Sequence, residues 1–183
     1  ALKTADSFKV FSATAADTTY LSSSADSTAS AGSHSITITQ LAKAQKLFSA
    51  AFADTTTTTI GTGSLTIANG ASSFAVTIDS SNNTLDGIVN AVNAASSNFG
   101  VSASIVNDGT GYRLLFSPNS TGTAYAVTVA VTDTGDSINT DANGLSRLRY
   151  TAGGYVLCQT EAAQNAIISV DGLTGINSAS NTV

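Results

Sequence analysis

Ser64-Leu65-Thr66-Ile67-Ala68-Asn69-Gly70-Ala71-Ser72-Ser73-Phe74-Ala75-Val76-Thr77-Ile78-Asp79 decides how this chain folds. Leu65 and Ile67 alternate with small polar residues, and Phe74, Val76 and Ile78 do so again. Side chains of a strand point to opposite faces with a period of two, so each run predicts a half-buried β-strand. Asn69-Gly70 is the preferred hairpin turn pair, because both positions tolerate positive φ. Downstream, Ser80 to Asn83 forms a polar loop, and Thr84 supplies a hydroxyl N-cap for the first free amides of a helix. Leu85, Ile88, Val89, Val92 and Ala95 then make one apolar helical stripe, with Asp86 in the first turn where the helix dipole favours it. The helix is expected to fray near Ser96 to Gly100, with Gly100 as terminator.

Val101 to Asn107 predicts the next strand, Asp108-Gly109-Thr110-Gly111 a tight turn, and Tyr112 to Ser117 the return. Pro118 is the only proline and a firm boundary. Tyr125 to Thr132 alternates once more, so Ser64 to Thr132 reads β-β-α-β-β-β. Outside this unit, His34 to Gln40 alternates through Ile36 and Ile38, and Phe8 and Val10 share a face of a further candidate strand. Ser22 to Gly32 reads as a loop or a poor edge strand. Leu41 to Phe52 fits a helical face or a continued strand equally well. The five threonines Thr55 to Thr59 read as an extended crossing between two domains, and Ala152-Gly153-Gly154 as a second flexible joint. Asp133 to Gly144 is a polar loop, Gly144 to Tyr150 a short strand candidate, and Asn165 to Asp171 a strand ending in an Asp-Gly turn.

Composition narrows the function. In 183 residues there are seven Lys and Arg, twelve Asp and Glu, and one His, giving a net charge of −5 and a pI near 4.4. Such a chain cannot form the basic stripe that nucleic acid requires. One His and one Cys cannot build a His/Cys zinc site, and Cys158 alone forbids an internal disulfide. No apolar run is long enough to cross a membrane as a helix, and the sequence has no charged-then-apolar start with a cleavage site, so no signal peptide is expected. The chain opens at Ala1 without Met, which suggests a processed chain or an excised piece. Ala, Thr, Ser and Gly supply just over half of the residues, while only 10% are charged. Hydroxyls therefore coat the outside where Lys and Glu usually do.

Four stretches carry a resemblance: Gly32 to Leu47 (with Ser35-Ile-Thr-Ile-Thr-Gln-Leu-Ala-Lys-Ala-Gln45), Ser64 to Ser117, Ala162 to Gly172, and Ser178-Ala-Ser-Asn-Thr-Val183. Together they resemble the bacterial flagellar filament-capping family, also called hook-associated protein 2. The middle stretch alone is similar to an insert module shared with hook proteins and some flagellins. The resemblance implies an α+β, mostly β architecture of two β-rich domains, the outer one, with one helix packed on a sheet, inserted into the inner one. Residues 1–53 plus 156–183 would form the inner head domain. Residues 54–155 would form the outer one, with the hook-insert-like β-β-α-β-β unit at 64–117. It also resolves Leu41 to Phe48 toward a long strand.

The function implied is structural: the head region of a homo-oligomeric cap at the filament tip that promotes folding and insertion of flagellin subunits, extracellular and exported without a cleaved signal peptide. Sustained apolar heptads for coiled-coil legs are absent, so the chain is expected to be the head without its legs and mainly monomeric in dilute solution. Alternatives are a hook protein or flagellin insert domain, or a carbohydrate-binding adhesin module, the latter disfavoured by the absence of Trp. Host-surface adhesion has no support in the sequence.

No catalytic, cofactor-binding or metal site is expected, and no enzyme. His34 reads as a solvent-facing strand residue without a nucleophile at hand. Glu161 reads as the start of a helical turn without a paired carboxylate, and Cys158 as a small buried hydrophobe. Asn139, Asp141 and Asn143 match half of a calcium loop, but Tyr150 stands where the closing Glu should be. With Asp133 and Asp136 they read as an Asx-rich turn. Asn82-Asn-Thr84 and Asn119-Ser-Thr121 fit the glycosylation sequon, a motif that chance supplies in such a chain. Gly109 and Gly111 read as hairpin glycines. Tyr112, Arg113 and Arg147 to Tyr150 are the candidate contact residues, on sheet edges and loop tips.

Overall fold

The hairpin at the centre of the sequence forms with unbroken register. Strands β3 (Gly63–Ala68) and β4 (Ser73–Ile78) pair antiparallel from Gly63↔Ile78 to Ala68↔Ser73. The turn is closed by Asn69 N–H to the Ser72 carbonyl and by Ser72 N–H to Asn69 Oδ1. The computed structural model describes residues 11–70 and 72–182. The chain forms two units, residues 1–35 and 36–183.

In the first unit, residues 11–35 run without helix or strand, as the Ser22–Gly32 composition suggests. Asp17 and Asp26 each accept a bond from the backbone N–H two residues on, of Thr19 and Thr28, the Asx geometry that competes with regular structure. The Phe8–Val10 strand lies outside the described residues.

Among its described residues the second unit is mostly β, with one α-helix and three antiparallel sheets. β1 (Ile36–Gln40), β11 (Ala166–Val170) and β12 (Leu173–Ser178) form a sheet in the order β1-β11-β12. β2 (Lys46–Phe48), β5 (Val101–Asn107), β6 (Tyr112–Pro118) and β10 (Cys158–Glu161) form a second, ordered β10-β2-β6-β5. β3, β4, β7 (Thr128–Asp133), β8 (Tyr150–Thr151) and β9 (Gly154–Tyr155) form the third, ordered β4-β3-β7-β8-β9.

Helix α1 (Leu85–Ala94) starts at Thr84, whose Oγ1 accepts from Gly87 N–H at 3.2 Å. Its stripe buries Leu85, Ile88 and Val92 completely, against β4 and β5. These join Leu65, Ile67, Ile78, Leu114 and Phe116 in one core that also takes in Leu47, Leu145 and Leu157. Burying each such aliphatic side chain contributes roughly 1.5–3 kcal/mol of transfer free energy. Gly63 is required where it stands. Its φ is +145°, and a Cβ there would collide with the Thr132 carbonyl of β7.

Several expectations give way to tertiary context. Leu41 to Phe48 is not one long strand: it is reduced to a bridge at Lys43 and the short β2. Asn181 takes the N–H and carbonyl of Ala42, and Gln45 turns its side chain inward to accept Val127 N–H at 2.7 Å. Gly144 to Leu148 is a 3-10 helix, not a strand, because buried Asp133 accepts the N–H groups of Leu145 and Ser146 at its start. Tyr125 belongs to a 3-10 turn (Thr123–Tyr125), and β7 begins only at Thr128.

The threonine run is not extended. It wraps around Asp54, whose Oδ1 accepts from the N–H groups of Thr56, Thr57 and Thr58. Ala152 and Gly153 form the tight turn between β8 and β9, and Gly154 pairs with Thr151. Gly100 (φ +108°) lies in the bend directly before β5 and does not end α1, which stops at Ala94. β12 has no counterpart in the sequence reading. Gly175, with φ +76°, interrupts its alternation.

Candidate interaction surface

The residues expected to face partners are mostly tied into the protein itself. Tyr112 exchanges both backbone bonds with Phe52, at 2.8 and 2.9 Å. Arg113 pairs with Asp108 and donates to the Ser49 carbonyl at 3.1 Å. Arg147 lies 4.3 Å over the Phe52 ring, Leu148 is fully buried, Arg149 donates to the Thr140 carbonyl, and Tyr150 bonds Gln159. These groups brace the fold while Tyr112, Arg113, Arg147, Arg149 and Tyr150 stay half-buried.

The candidates for chemistry disperse in the same way. His34 is exposed, in irregular chain two residues before β1. Cys158 is exposed on β10 and not buried among Val156 and Leu157: only Leu157 turns into the core. Glu161 ends a strand instead of starting a helical turn, and binds Lys43 at 3.1 Å and Lys46 at 2.9 Å. Lys46, then Lys43, hold its carboxyl below the usual range. The Asn139–Asn143 loop is braced internally. Asn139 Oδ1 accepts Asp133 N–H, and Asn143 Nδ2 donates to Asp141. Among the described residues, no three His, Cys, Asp or Glu side chains converge. Gly109 and Gly111 sit in the β5–β6 turn, with Asp108 N–H bonded to the Gly111 carbonyl.

Asparagine does much of the structural work in this charge-poor chain. β5 is an edge strand, and an open edge invites pairing with other chains. Here Asn93 of α1 donates Nδ2 to the Ala103 carbonyl and accepts Ala103 N–H, both at 2.8 Å. Asn98 does the same for Val101. Two side-chain amides thus occupy the places of a missing neighbouring strand. Asn82 similarly takes Asp79 N–H and donates to the Thr77 carbonyl beside β4, which engages the amide of one sequon. The Asn119 Oδ1 of the other sequon accepts the Ser102 hydroxyl.

What remains open is the β1-β11-β12 sheet. Ile38, Ile168 and Ile176 lie opposite one another across its three strands, and so do Ile36, Val170 and Leu173. Directly opposed residues share a face, so six aliphatic side chains line one side. Four of them, Ile36, Ile38, Leu173 and Ile176, are 37–71% exposed. Sequence reasoning found Ile36 and Ile38 but expected them half-buried. The partner strand β12 gave no periodic signal.

Comparison with known proteins gives these features a setting. Residues 1–45 match the family pattern described as flagellar hook-associated protein 2 N-terminus, and residues 64–120 the flagellin hook IN motif. The fold closely matches solved flagellar cap domains. It superposes on the FliD D2-D3 domains from Escherichia coli with a TM-score of 0.77 and 34% identity, covering 91% of this chain and 84% of that one. On FliD (HAP2) from Pseudomonas aeruginosa PAO1 the TM-score is 0.70 at 35% identity, covering 85% and 70%. In sequence it is 39% identical over 165 residues to the B-type flagellar hook-associated protein 2 of Pseudomonas aeruginosa, covering 84% of this chain and 33% of that protein. It is 38% identical over 188 residues to flagellar hook-associated protein 2 of Escherichia coli K12, covering 100% and 38%.

A mostly β unit that carries the flagellin hook IN motif is the class of domain found in solved flagellar cap proteins. The chain belongs to the flagellar hook-associated protein 2 family, whose solved members are flagellar cap proteins. It spans about a third of the length of the curated relatives it matches, 33–38%.

Proposed function

We propose that this chain is the head region of a flagellar filament cap, which sits outside the cell at the filament tip in several copies and promotes folding and insertion of flagellin. The carrying observation is the match to cap-protein D2-D3 domains over 91% of the chain. The surface agrees with a role exercised by shape: hydroxyls, few charges, and one open aliphatic sheet face. No bond chemistry is involved in this reading.

The nested-domain organisation belongs to the same proposal, with 1–53 and 156–183 as inner domain and 54–155 inserted. β2 and β10 support it. Phe48 lies opposite Cys158 and Leu47 opposite Gln159, so residues 54–155 leave and return at neighbouring points. β6 also pairs with β2, which anchors the insertion on the sheet it departs from.

The test is an exchange. The matching segment of full-length flagellar hook-associated protein 2 in a motile bacterium is replaced by these 183 residues. Capped, growing filaments are expected. Unpolymerised flagellin shed into the medium, with the chimera made and exported, overturns the reading.

A further inference from the structure

We propose that Asn69-Gly70, at the turn of the β3-β4 hairpin, is a site of spontaneous covalent modification, at which backbone attack removes the asparagine amide and leaves aspartate and isoaspartate. The inference is independent of the cap reading. Asn-Gly occurs twice in the sequence, at Asn69-Gly70 and Asn143-Gly144. Glycine makes such a pair reactive, because without a Cβ its nitrogen can approach the preceding side chain. The Gly70 nitrogen bonds to Asn69 Cγ, the Cγ–Nδ2 bond breaks, and ammonia leaves with the proton that the nitrogen gives up. Water then opens the five-membered imide at either carbonyl.

Three observations single out the first pair. Gly70 is exposed with φ +81°, and beyond its chain neighbours nothing stands within 4 Å of where a Cβ would be, so the turn can bend without collision. Among the described residues, no acceptor holds the Gly70 N–H. Asn69 Oδ1 accepts the Ser72 N–H at 2.9 Å, which keeps the side chain over the turn and draws electrons from the carbon under attack.

At the second pair the fold works against ring closure. Asn143 Nδ2 is committed to Asp141 Oδ2 at 2.9 Å. Gly144 packs against the buried Asp133 carboxylate, and a Cβ there would strike its Oδ2. Asp133 also takes the N–H groups of Leu145 and Ser146, so the backbone after Asn143 is held in place. A carboxylate close by opposes the negative charge that an attacking nitrogen must develop. The product matters to the hairpin. Isoaspartate routes the main chain through the side-chain methylene and so lengthens a turn closed by the Asn69 N–H to the Ser72 carbonyl. Either product adds a negative charge to a chain that carries −5.

The test is peptide mapping by mass spectrometry of this chain, held for weeks at body temperature in neutral buffer beside a sample unfolded in guanidinium chloride. The folded chain is expected to gain about 1 Da at residue 69, with isoaspartate in the product, and to keep Asn143 intact. Unfolded, both pairs should convert. Gly70→Ala should slow conversion of Asn69 roughly tenfold, folded or unfolded, because the new Cβ obstructs the attack. The contrast between the two pairs is read within the wild type and does not depend on how that variant folds. Survival of Asn69 in the folded chain, with conversion in guanidinium, overturns the proposal. Equal rates at Asn69 and Asn143 in the folded chain do so too. So does aspartate without isoaspartate, which would mean direct hydrolysis by water.

Discussion

Asn93 faces two demands at once, since its single amide satisfies both the N–H and the carbonyl of Ala103. These bonds are only part-buried, and a hydrogen bond of that kind contributes about 0.5–1.5 kcal/mol net. Asn93→Ala should therefore lower stability by about that amount in urea unfolding and speed exchange of the Ala103 amide. Asn90→Ala, exposed on the same helix, should stay within about 0.5 kcal/mol of wild type. A second single-residue case is Asp133. It is 3% exposed and accepts from Gly135, Leu145 and Ser146. Asp133→Ala should cost about 1–3 kcal/mol in the same measurement and loosen the 3-10 helix that follows.

Both residues mark the limit of what the sequence makes legible. The hydrophobic partners of α1 follow from spacing alone: Leu85, Ile88 and Val92 are all fully buried where the stripe places them. Asn93 carries no such signal. It sits beside that stripe, and only the fold brings Ala103, ten residues on, within reach of its amide. Asp133 read as loop acidity because the helix it caps was itself misread as a strand. Short polar segments take their conformation from whichever buried group claims their backbone, and that group is often distant in sequence.

Among the elements, β2 is short and consequential. Its three residues link β6 to β10, and Leu47 is completely buried. Periodicity could not separate helix from strand here, because the apolar positions of Leu41 to Phe52 suit both. The deciding factor is that β6 offers a free edge. Leu47→Ala should destabilise by about 2–5 kcal/mol, the usual cost of a cavity left by a core leucine, and lower the melting temperature of the second unit. The candidate surface was half legible for a related reason. β1 alternates openly, whereas β12 hides its pairing behind Gly175 and a shifted register between Ile168 and Val170.

At the scale of the molecule, carboxylates set the acid limit. Thr58, through its hydroxyl, and then the N–H groups of Thr57 and Thr58 hold the Asp54 carboxyl well below its ordinary range. The Thr110 hydroxyl and then Arg113 do so for Asp108, while Ser81 lowers Asp79, and Lys46 and then Lys43 lower Glu161. Each group is more acidic folded than unfolded. Its stabilisation is present above the unfolded values, near 3.8 for Asp and 4.5 for Glu, and is lost as pH falls through the folded ones. The melting temperature should therefore be level from pH 7 to about 5 and fall steadily below about 4. A flat profile down to pH 2 would contradict the assigned bonds.

The asparagine plugs along β5 have one more consequence. Many proteins guard a bare strand with lysine, a gate that salt screens and neighbouring charge can bias. An amide carries no charge to be masked and no proton to lose. The guard on this strand should hold in brine and in weak acid alike, so any clumping of the molecule under those conditions should begin at some other place.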